Sequence, residues 1–526
     1  MTGDRTLRRR VLAGVTAAGL IASVALLPGA ASAATNQLTV VTLGRDGQPL
    51  SVPVSVLNLT DHTTYTLTSG RTKALPKGTY AVMTDIYDPK DATDTIGARV
   101  VTVSGNTRTT IDARAGEPVR VTLSPRLDQG DQSLQAQVCA DSFVTSAIGG
   151  WNTSGKLFVI PNSSRHLEFD VMSRWDVPAE TGPGTGYVVA HTTTGLPKGL
   201  GLTVKRSTLA NVLVDARRGP ADAPQAAVFV QPGGKGCASI LGAGFSPSTT
   251  PYRLPTYLSA GAWKVSAETY TGSELTDSSS RDVKVAAGKR YRYSYFNAAW
   301  GPGPAMPLVI RKNLDVDLGG MFVDPTFWND FTTGATSRYA LTLSRSGTVL
   351  KRQKGTTYGS ADGGSFRYRL RSAGWYVLAV DASRYRPGVT FPSDQLSTRT
   401  TTSFRFYADP AKDQVARVHL IRFMPQGLNL SNQAPPRSTT TVALGVDRPA
   451  QDPDAKLTKV GVKSVTAQAS YDNGKTWRAV KVTQVKGRWS AAVPNPDAGT
   501  VSLRATVVST TGDSSQITVY KAYAIG

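Results

Sequence analysis

The chain reads as all-β, a run of tandem β-sandwich domains behind a cleaved export signal. Three observations support the β reading. Beyond residue 33, no long run shows the apolar spacing of a helix. Short runs rich in Val, Thr, Tyr and Leu fill the sequence instead, each bounded by Gly, Pro, Asn or Asp. The 50 glycines and 31 prolines supply dense turns without the period of collagen. At roughly 150 residues per domain, 526 residues suggest three or four domains, each able to bury a core.

Residues 1–33 have the three parts of an export signal. Arg8, Arg9 and Arg10 give a basic start, an apolar stretch follows from Val11 to Leu27, and Pro28-Gly29 ends it. Ala31-Ser32-Ala33 then supplies the small residues of a cleavage site at Ala31 and Ala33. The competing reading is a membrane anchor, against which stand the short, glycine-containing stretch and the cleavage site behind it. Arg8-Arg9-Arg10-Val11-Leu12 also fits a loose twin-arginine pattern, so both the Sec and twin-arginine routes stay open. No cysteine lies near the cleavage point, and Tyr520–Gly526 carries no hydrophobic tail or sorting signal. The expectation is a released, extracellular product.

The first sandwich is expected at 35–125. Leu38–Leu43 is a strand, Asp46-Gly47 a hairpin turn, and Val52–Val56 the next strand. Leu75-Pro76-Lys77-Gly78-Thr79-Tyr80-Ala81-Val82 turns into a strand that places Tyr80 and Val82 on one face. The same device, a glycine followed two residues on by an aromatic and then an aliphatic, recurs at Gly261-Ala262-Trp263-Lys264-Val265 and around Gly374-Trp375-Tyr376-Val377-Leu378. These aromatics read as an inward, core-facing row in three separate sheets, with a sugar platform as the rival reading. A β-rich domain at 126–307 holds both cysteines, and a further sandwich follows at 308–428. Residues 429–437, where Ser and Asn lead into Pro435-Pro436, read as a linker. An immunoglobulin-like or fibronectin-like module closes the chain at 438–526.

Cys139 and Cys237 most simply form one disulfide in an oxidising compartment; two buried free thiols are the alternative. The formal charge is +22, of which +19 remains once the signal is removed. Such a charge favours anionic partners, namely cell-wall polymers or acidic polysaccharide, against the alternative of a merely soluble basic surface. Only Arg290-Tyr291-Arg292-Tyr293 and Arg367-Tyr368-Arg369-Leu370-Arg371 interleave base with aromatic. That alternation reads as strands with one solvated face, so nucleic acid is not the expected partner.

The sequence carries few motifs of catalytic or metal chemistry. The four histidines are His62, His166, His191 and His419; none precedes a glutamate and no pair has metal-site spacing. There is no G-x-S-x-G elbow. Gly474-Lys475-Thr476 ends like a phosphate loop, but Ala469 stands where its first glycine belongs. No cofactor is indicated. One motif is specific: Ser470-Tyr471-Asp472-Asn473-Gly474-Lys475-Thr476-Trp477 matches the Asp-box S-x-D-x-G-x-T-W. Its content is structural, a hairpin in which Asn473-Gly474 turns, Asp472 accepts from the turn amides and Trp477 packs back. Asp85, Asp88, Asp91 and Asp94 are candidate calcium ligands at three-residue intervals. They miss the D-x-D-x-D-G spacing, and a solvated acidic loop competes with the metal reading.

Several short pieces together resemble the non-catalytic C-terminal region of secreted subtilisin-like peptidases from actinobacteria. They are Thr110-Ile111-Asp112-Ala113-Arg114, Phe296-Asn297 before Trp300, Phe404-Arg405-Phe406 and Arg422-Phe423-Met424-Pro425. The last module adds Tyr471–Trp477, Val501-Ser502-Leu503-Arg504-Ala505 and Lys521-Ala522-Tyr523. The first unit resembles a transthyretin-like or carboxypeptidase-regulatory-like module on the strength of Leu75–Tyr80. In the peptidases a catalytic domain precedes this region, whereas here the signal leads almost directly into the first sandwich at Asn36. No catalytic residue of the family therefore maps onto this chain. The resulting expectation is a secreted, non-enzymatic β protein that binds or scaffolds at the cell wall or extracellular matrix. The resemblance alone implies one alternative, an accessory partner of a secreted peptidase. The other is an enzyme whose carboxylates come from two domains and are invisible to motif reading.

Overall fold

The computed structural model describes residues 36–526 apart from 142, 153–154, 222, 234–240, 272–273, 328–331, 334–335, 358–363 and 449–456, with side chains undescribed at 143–152, 271, 274 and 332–333. The expected signal with Ala31 and Ala33, and Cys237, lie outside the described residues. Among those residues there is no α-helix, only the single 3₁₀ turns Ala113–Ala115 and Arg206–Thr208, and no helix is long and apolar enough to cross a membrane. The chain is all-β, built of stacked sheets.

The N-terminal sheet centres on Gln37–Leu43, paired antiparallel with Pro49–Leu50 and Thr72–Ala74 and parallel with Asn106–Asp112. It packs on a seven-stranded sheet ordered Leu200–Lys205, Glu117–Ser124, Leu157–Val159, Thr93–Val103, Gly78–Asp88, Pro53–Asn58, Thr64–Thr68. Two strands of this second sheet, Leu157–Val159 and Leu200–Lys205, come from beyond residue 125. The sheet is buried on both faces. Tyr80, Val82 and Ile86 face the N-terminal sheet, while Ala81, Met83, Ile96 and Ala98 face a third. Two-sided burial explains why Gly78–Asp88 lacks the clean alternation of a half-solvated strand.

The third sheet has seven strands, from Phe143–Asn152 through Asp131–Ala140, Leu167–Val177 and Thr185–Thr194 to Tyr252–Leu258, Ala210–Ala216 and Arg290–Tyr295. Leu134, Val138, Phe169 and Val171 pack it on the second sheet. Val188, Val212, Val214 and Leu254 instead belong to a core shared with the sheet around Gln225–Pro232 and Gly261–Thr271. The interleaved Arg290–Tyr295 strand pairs parallel to Ala210–Ala216, and Arg292 donates to the fully buried Asp215 carboxylate from Nη2 at 2.6 Å.

The C-terminal half is organised by one twelve-stranded sheet. It runs from Thr348–Thr357, Ser337–Arg345 and Gly374–Arg384 to Arg399–Ala408, then crosses to Ser514–Ile525, Gly499–Ser509 and Val462–Ser470. The crossing is made by antiparallel pairs from Arg399↔Tyr520 to Arg405↔Ser514. Arg478–Val485 then carries the sheet round to Arg488–Pro494, Thr439–Asp447 and Leu420–Pro425, closing a core of Phe423, Val442, Leu444, Val493, Leu503 and Val519. Within 429–437, Gln433–Ala434 pairs parallel with Ala524–Ile525, and Asn432 is fully buried. The stretch whose composition reads as a linker thus contains hydrogen-bonded, packed chain.

The recurring glycine-aromatic device has one structural solution. Tyr80, Trp263 and Tyr376 are all essentially inaccessible to solvent. Each donates its polar hydrogen to the carbonyl four residues earlier: Tyr80 Oη to Pro76 at 2.7 Å, Trp263 Nε1 to Ser259 at 2.8 Å and Tyr376 Oη to Ser372 at 2.6 Å. The aromatic fills the core while its polar tip closes the turn that introduces the strand.

Candidate functional site

The Asp-box is a hairpin between Val462–Ser470 and Arg478–Val485. Asn473 and Gly474 have φ of 57° and 85°. Asp472 Oδ1 accepts from Ser470 Oγ at 2.8 Å and from the Thr476 amide at 2.9 Å, and Oδ2 accepts from Thr476 Oγ1 at 2.5 Å. These donors hold the carboxyl well below the usual carboxylate range, the Thr476 hydroxyl first among them. Trp477 Nε1 closes back on the Gly474 carbonyl at 3.1 Å. A side chain on Gly474 would sit 2.4 Å from the Tyr520 ring, so only glycine fits.

The four acidic candidates separate into two pairs. Asp88 and Asp91 serve the turn: Asp88 Oδ1 accepts from the Lys90 amide at 3.0 Å and Asp91 Oδ1 from Thr93 Oγ1 at 2.7 Å. The registers Asp85↔Ile96 and Tyr87↔Asp94 place Asp85 and Asp94 diagonally adjacent on one sheet face. Asp94 is buried, and Asp85 Oδ1 has no hydrogen-bond partner among the described residues. Burial, reinforced by the Asp94 charge, pushes the Asp85 carboxyl up to about 7. A folded value above the unfolded 3.8 means that stability from this group is full at low pH and is lost as pH rises through about 7. Asp85→Asn is therefore expected to match or trail the wild type at about pH 4 and to exceed it by about 2 kcal/mol at about pH 8. Urea unfolding at the two pH values reads this directly; a gap that does not widen with pH would contradict it.

Cys139 is fully buried in Asp131–Ala140 and is not a free thiol. It lies with Glu168 and Asp170 in a group whose ligand atoms fall within 4.8 Å of one another. The Asp170 oxygens are already engaged, by Thr192 Oγ1 at 2.5 Å and Gln137 Nε2 at 3.1 Å. The histidines are dispersed. His166 Nδ1 meets Asp141 at 3.0 Å on the surface, whereas His419 is buried between Ser509 Oγ at 3.0 Å and the Val460 carbonyl at 3.1 Å.

Among the described residues, the solvent face of the twelve-stranded sheet gathers cations that no sequence motif marks. The strand Arg399–Ala408 alternates strictly, with Thr400, Thr402, Phe404 and Phe406 turned inward. Its outward residues Arg399, Thr401, Ser403, Arg405 and Tyr407 line up with outward residues of the neighbouring strands. One row reads Arg338, Ser383, Arg399, Tyr520; the next reads Lys354, Ala340, Asp381, Thr401, Thr518, Arg504. Between the charged residues lie Ser, Thr, Ala and Gln side chains. On the six strands from Thr348–Thr357 to Gly499–Ser509, the outward charges among the described residues are six cations, Arg338, Arg352, Lys354, Arg399, Arg405 and Arg504, and one carboxylate, Asp381, which accepts from Arg399 Nε at 2.9 Å.

Four of these arginines are held by aromatic rings. The guanidinium of Arg405 lies 4.0 Å from the Trp375 ring centroid, Arg504 3.9 Å from Trp477, Arg338 3.5 Å from Tyr385 and Arg399 4.8 Å from Tyr520. Arg405 Nη1 also donates to the Gly512 carbonyl at 2.9 Å, and Arg504 Nε to Thr518 Oγ1 at 3.2 Å. Stacking fixes the planar groups and lowers the entropy lost when they bind. The Asp-box is thus part of the construction, because its Trp477 carries Arg504 and packs edge-on against Tyr520 at 6.4 Å.

No family model matches the chain, and no curated protein matches it. Among solved structures, alpha-2-macroglobulin from Salmonella aligns over 95% of this chain and 40% of its own, at 11% identity and a TM-score of 0.16. A streptococcal ancillary pilin aligns over 56% of this chain and 95% of its own, at 10% identity and a TM-score of 0.13. The immunoglobulin domains 1–5 of Sidekick-1 align over 91% and 93%, at 10% identity and a TM-score of 0.12. The chain spans less than half the length of the macroglobulin.

Proposed function

We propose that this protein is a secreted, non-enzymatic β scaffold that binds an anionic polymer of the cell wall or extracellular matrix. The observation that carries the reading is the solvent face of the six strands from Thr348–Thr357 to Gly499–Ser509, where, among the described residues, six cations stand against one carboxylate over small polar residues. A broad sheet face suits an extended chain better than a small solute, and ring-held arginines suit repeated anionic groups. The charge of +19 that remains once the expected signal is removed adds long-range attraction.

Stepwise salt elution from isolated cell walls tests this. The protein is expected to be retained at low ionic strength and released between about 0.15 and 0.5 M salt, as the screening length shrinks below the spacing of the charges. Failure to be retained even at low salt, or retention indifferent to salt, would overturn the reading.

A further inference from the structure

A second site lies far from the basic face in sequence, at the seam between the third sheet and the sheet of Gln225–Pro232. Here an open cleft of about 520 Å³ is lined by Arg174, Gln225, Phe229, Phe245, Ser246 and Tyr270. Its size falls within the range of small-molecule sites.

Two glycines build its aromatic surface. A side chain on Gly244 would come within 2.4 Å of the Phe229 ring, and one on Gly186 within 2.1 Å of the Phe245 ring. Both rings therefore lie directly against the backbone. Phe245 is held further by the Arg174 guanidinium, 4.8 Å from its centroid. Phe229 is half-buried, which leaves part of its ring to the cleft. The guanidinium and the phenol are engaged by neighbouring carboxylates. Arg174 pairs with Asp176, Nε to Oδ1 at 2.8 Å, and Tyr270 Oη donates to the Glu268 carboxylate. The cation is thus already neutralised by its own sheet, so an anionic ligand gains little here. What remains open is apolar ring surface, the Gln225 amide and the Ser246 hydroxyl.

We propose that this cleft binds a neutral saccharide of one or two residues. The C–H face of a pyranose ring fits the exposed part of Phe229, and its hydroxyls fit the Gln225 amide and the Ser246 hydroxyl, which can both donate and accept hydrogen bonds. The site is independent of the polyanion reading, because its cation, Arg174, is already paired with Asp176.

The test is calorimetric titration of the full chain with cellobiose, maltose, N,N′-diacetylchitobiose and, as the anionic comparison, glucuronate, in about 0.5 M salt where binding through the basic face is screened. Saturable one-site binding of at least one neutral sugar is expected. Phe229→Ala should weaken it about tenfold through loss of the stacked ring. Gln225→Ala, at an exposed position that carries no folding risk, should weaken it as well. The proposal is overturned if no neutral sugar binds, if only glucuronate binds, or if binding is unchanged in both variants.

Discussion

Replacing Asn432 by alanine is expected to destabilise the protein by about 3–4 kcal/mol, the sum of lost buried hydrogen bonds and an unfavourable backbone conformation. Asn432 sits at the meeting point of three distant segments. Its Nδ2 donates to the Arg218 carbonyl at 2.8 Å and the Phe296 carbonyl at 2.9 Å. Its Oδ1 accepts from the Ala298 amide at 3.1 Å and from Arg217 Nη1 at 3.3 Å. With a φ of 55° it also occupies the left-handed region, which asparagine tolerates better than alanine. Asn432→Gly removes the backbone cost and keeps the hydrogen-bond loss, so it should recover about 1 kcal/mol of the deficit. Chemical unfolding followed by tryptophan fluorescence reads both variants; a cost below about 1 kcal/mol for Asn432→Ala would contradict this bonding scheme.

Asp324→Ala is the second large effect, expected at about 3 kcal/mol near pH 4, where the native carboxyl is protonated and unstrained. Asp324 is fully buried and holds the same Phe296–Ala298 segment from the other side. Its Oδ2 accepts from the Asn297 amide at 2.7 Å and Asn297 Nδ2 at 3.1 Å, and its Oδ1 from the Thr326 amide at 2.9 Å and Thr326 Oγ1 at 2.8 Å. Burial nevertheless pushes its carboxyl up to about 6, with these donors pulling it back. The folded value exceeds the unfolded one, so the wild type loses part of this group's contribution as pH rises from about 4 through about 6. Alanine carries no such dependence. The gap between wild type and variant should therefore narrow between pH 4 and pH 7, and a widening gap would contradict the assignment. Because Asn432 and Asp324 grip one segment, the double variant should cost less than the two single effects added together.

Local features of this fold were legible in the sequence and long-range ones were not, for a physical reason. The inward row at Tyr80, Trp263 and Tyr376 depends on a turn and the strand leaving it, all within eight residues of sequence or so. The Asp472 hairpin is equally local. Pairing such as Arg399↔Tyr520 joins strands far apart in sequence and leaves no mark in either one. The same holds for Leu157–Val159 and Leu200–Lys205, whose short apolar runs give no hint of the sheet they enter. Residues 429–437 have the Ser, Asn and Pro content of a linker, yet Asn432 shows how the same residue type serves a buried node once its four hydrogen-bonding capacities are met.

The basic face was hidden for a related reason. Arg338, Arg399, Arg405 and Arg504 are scattered in the sequence, where each looks like an ordinary solvated residue. Only the strand registers bring them onto one surface, and only the structure shows the aromatic rings that hold them. Asp85 and Asp94 behave similarly: at three-residue intervals all four acids looked equivalent, and the cross-strand register selects two of them.

The most direct test of the proposed polyanion binding compares two variants of equal net charge on isolated cell walls. One carries Arg338, Arg399, Arg405 and Arg504 changed to Gln. The other carries the same change at Lys77, Arg108, Arg120 and Lys198, which are exposed on the N-terminal half. The face variant is expected to bind about 100-fold more weakly and with a shallower salt dependence, at somewhat under 1 kcal/mol for each charge removed, while the N-terminal variant stays close to wild type. Equal weakening in both would show that net charge alone drives retention and would contradict a built binding face.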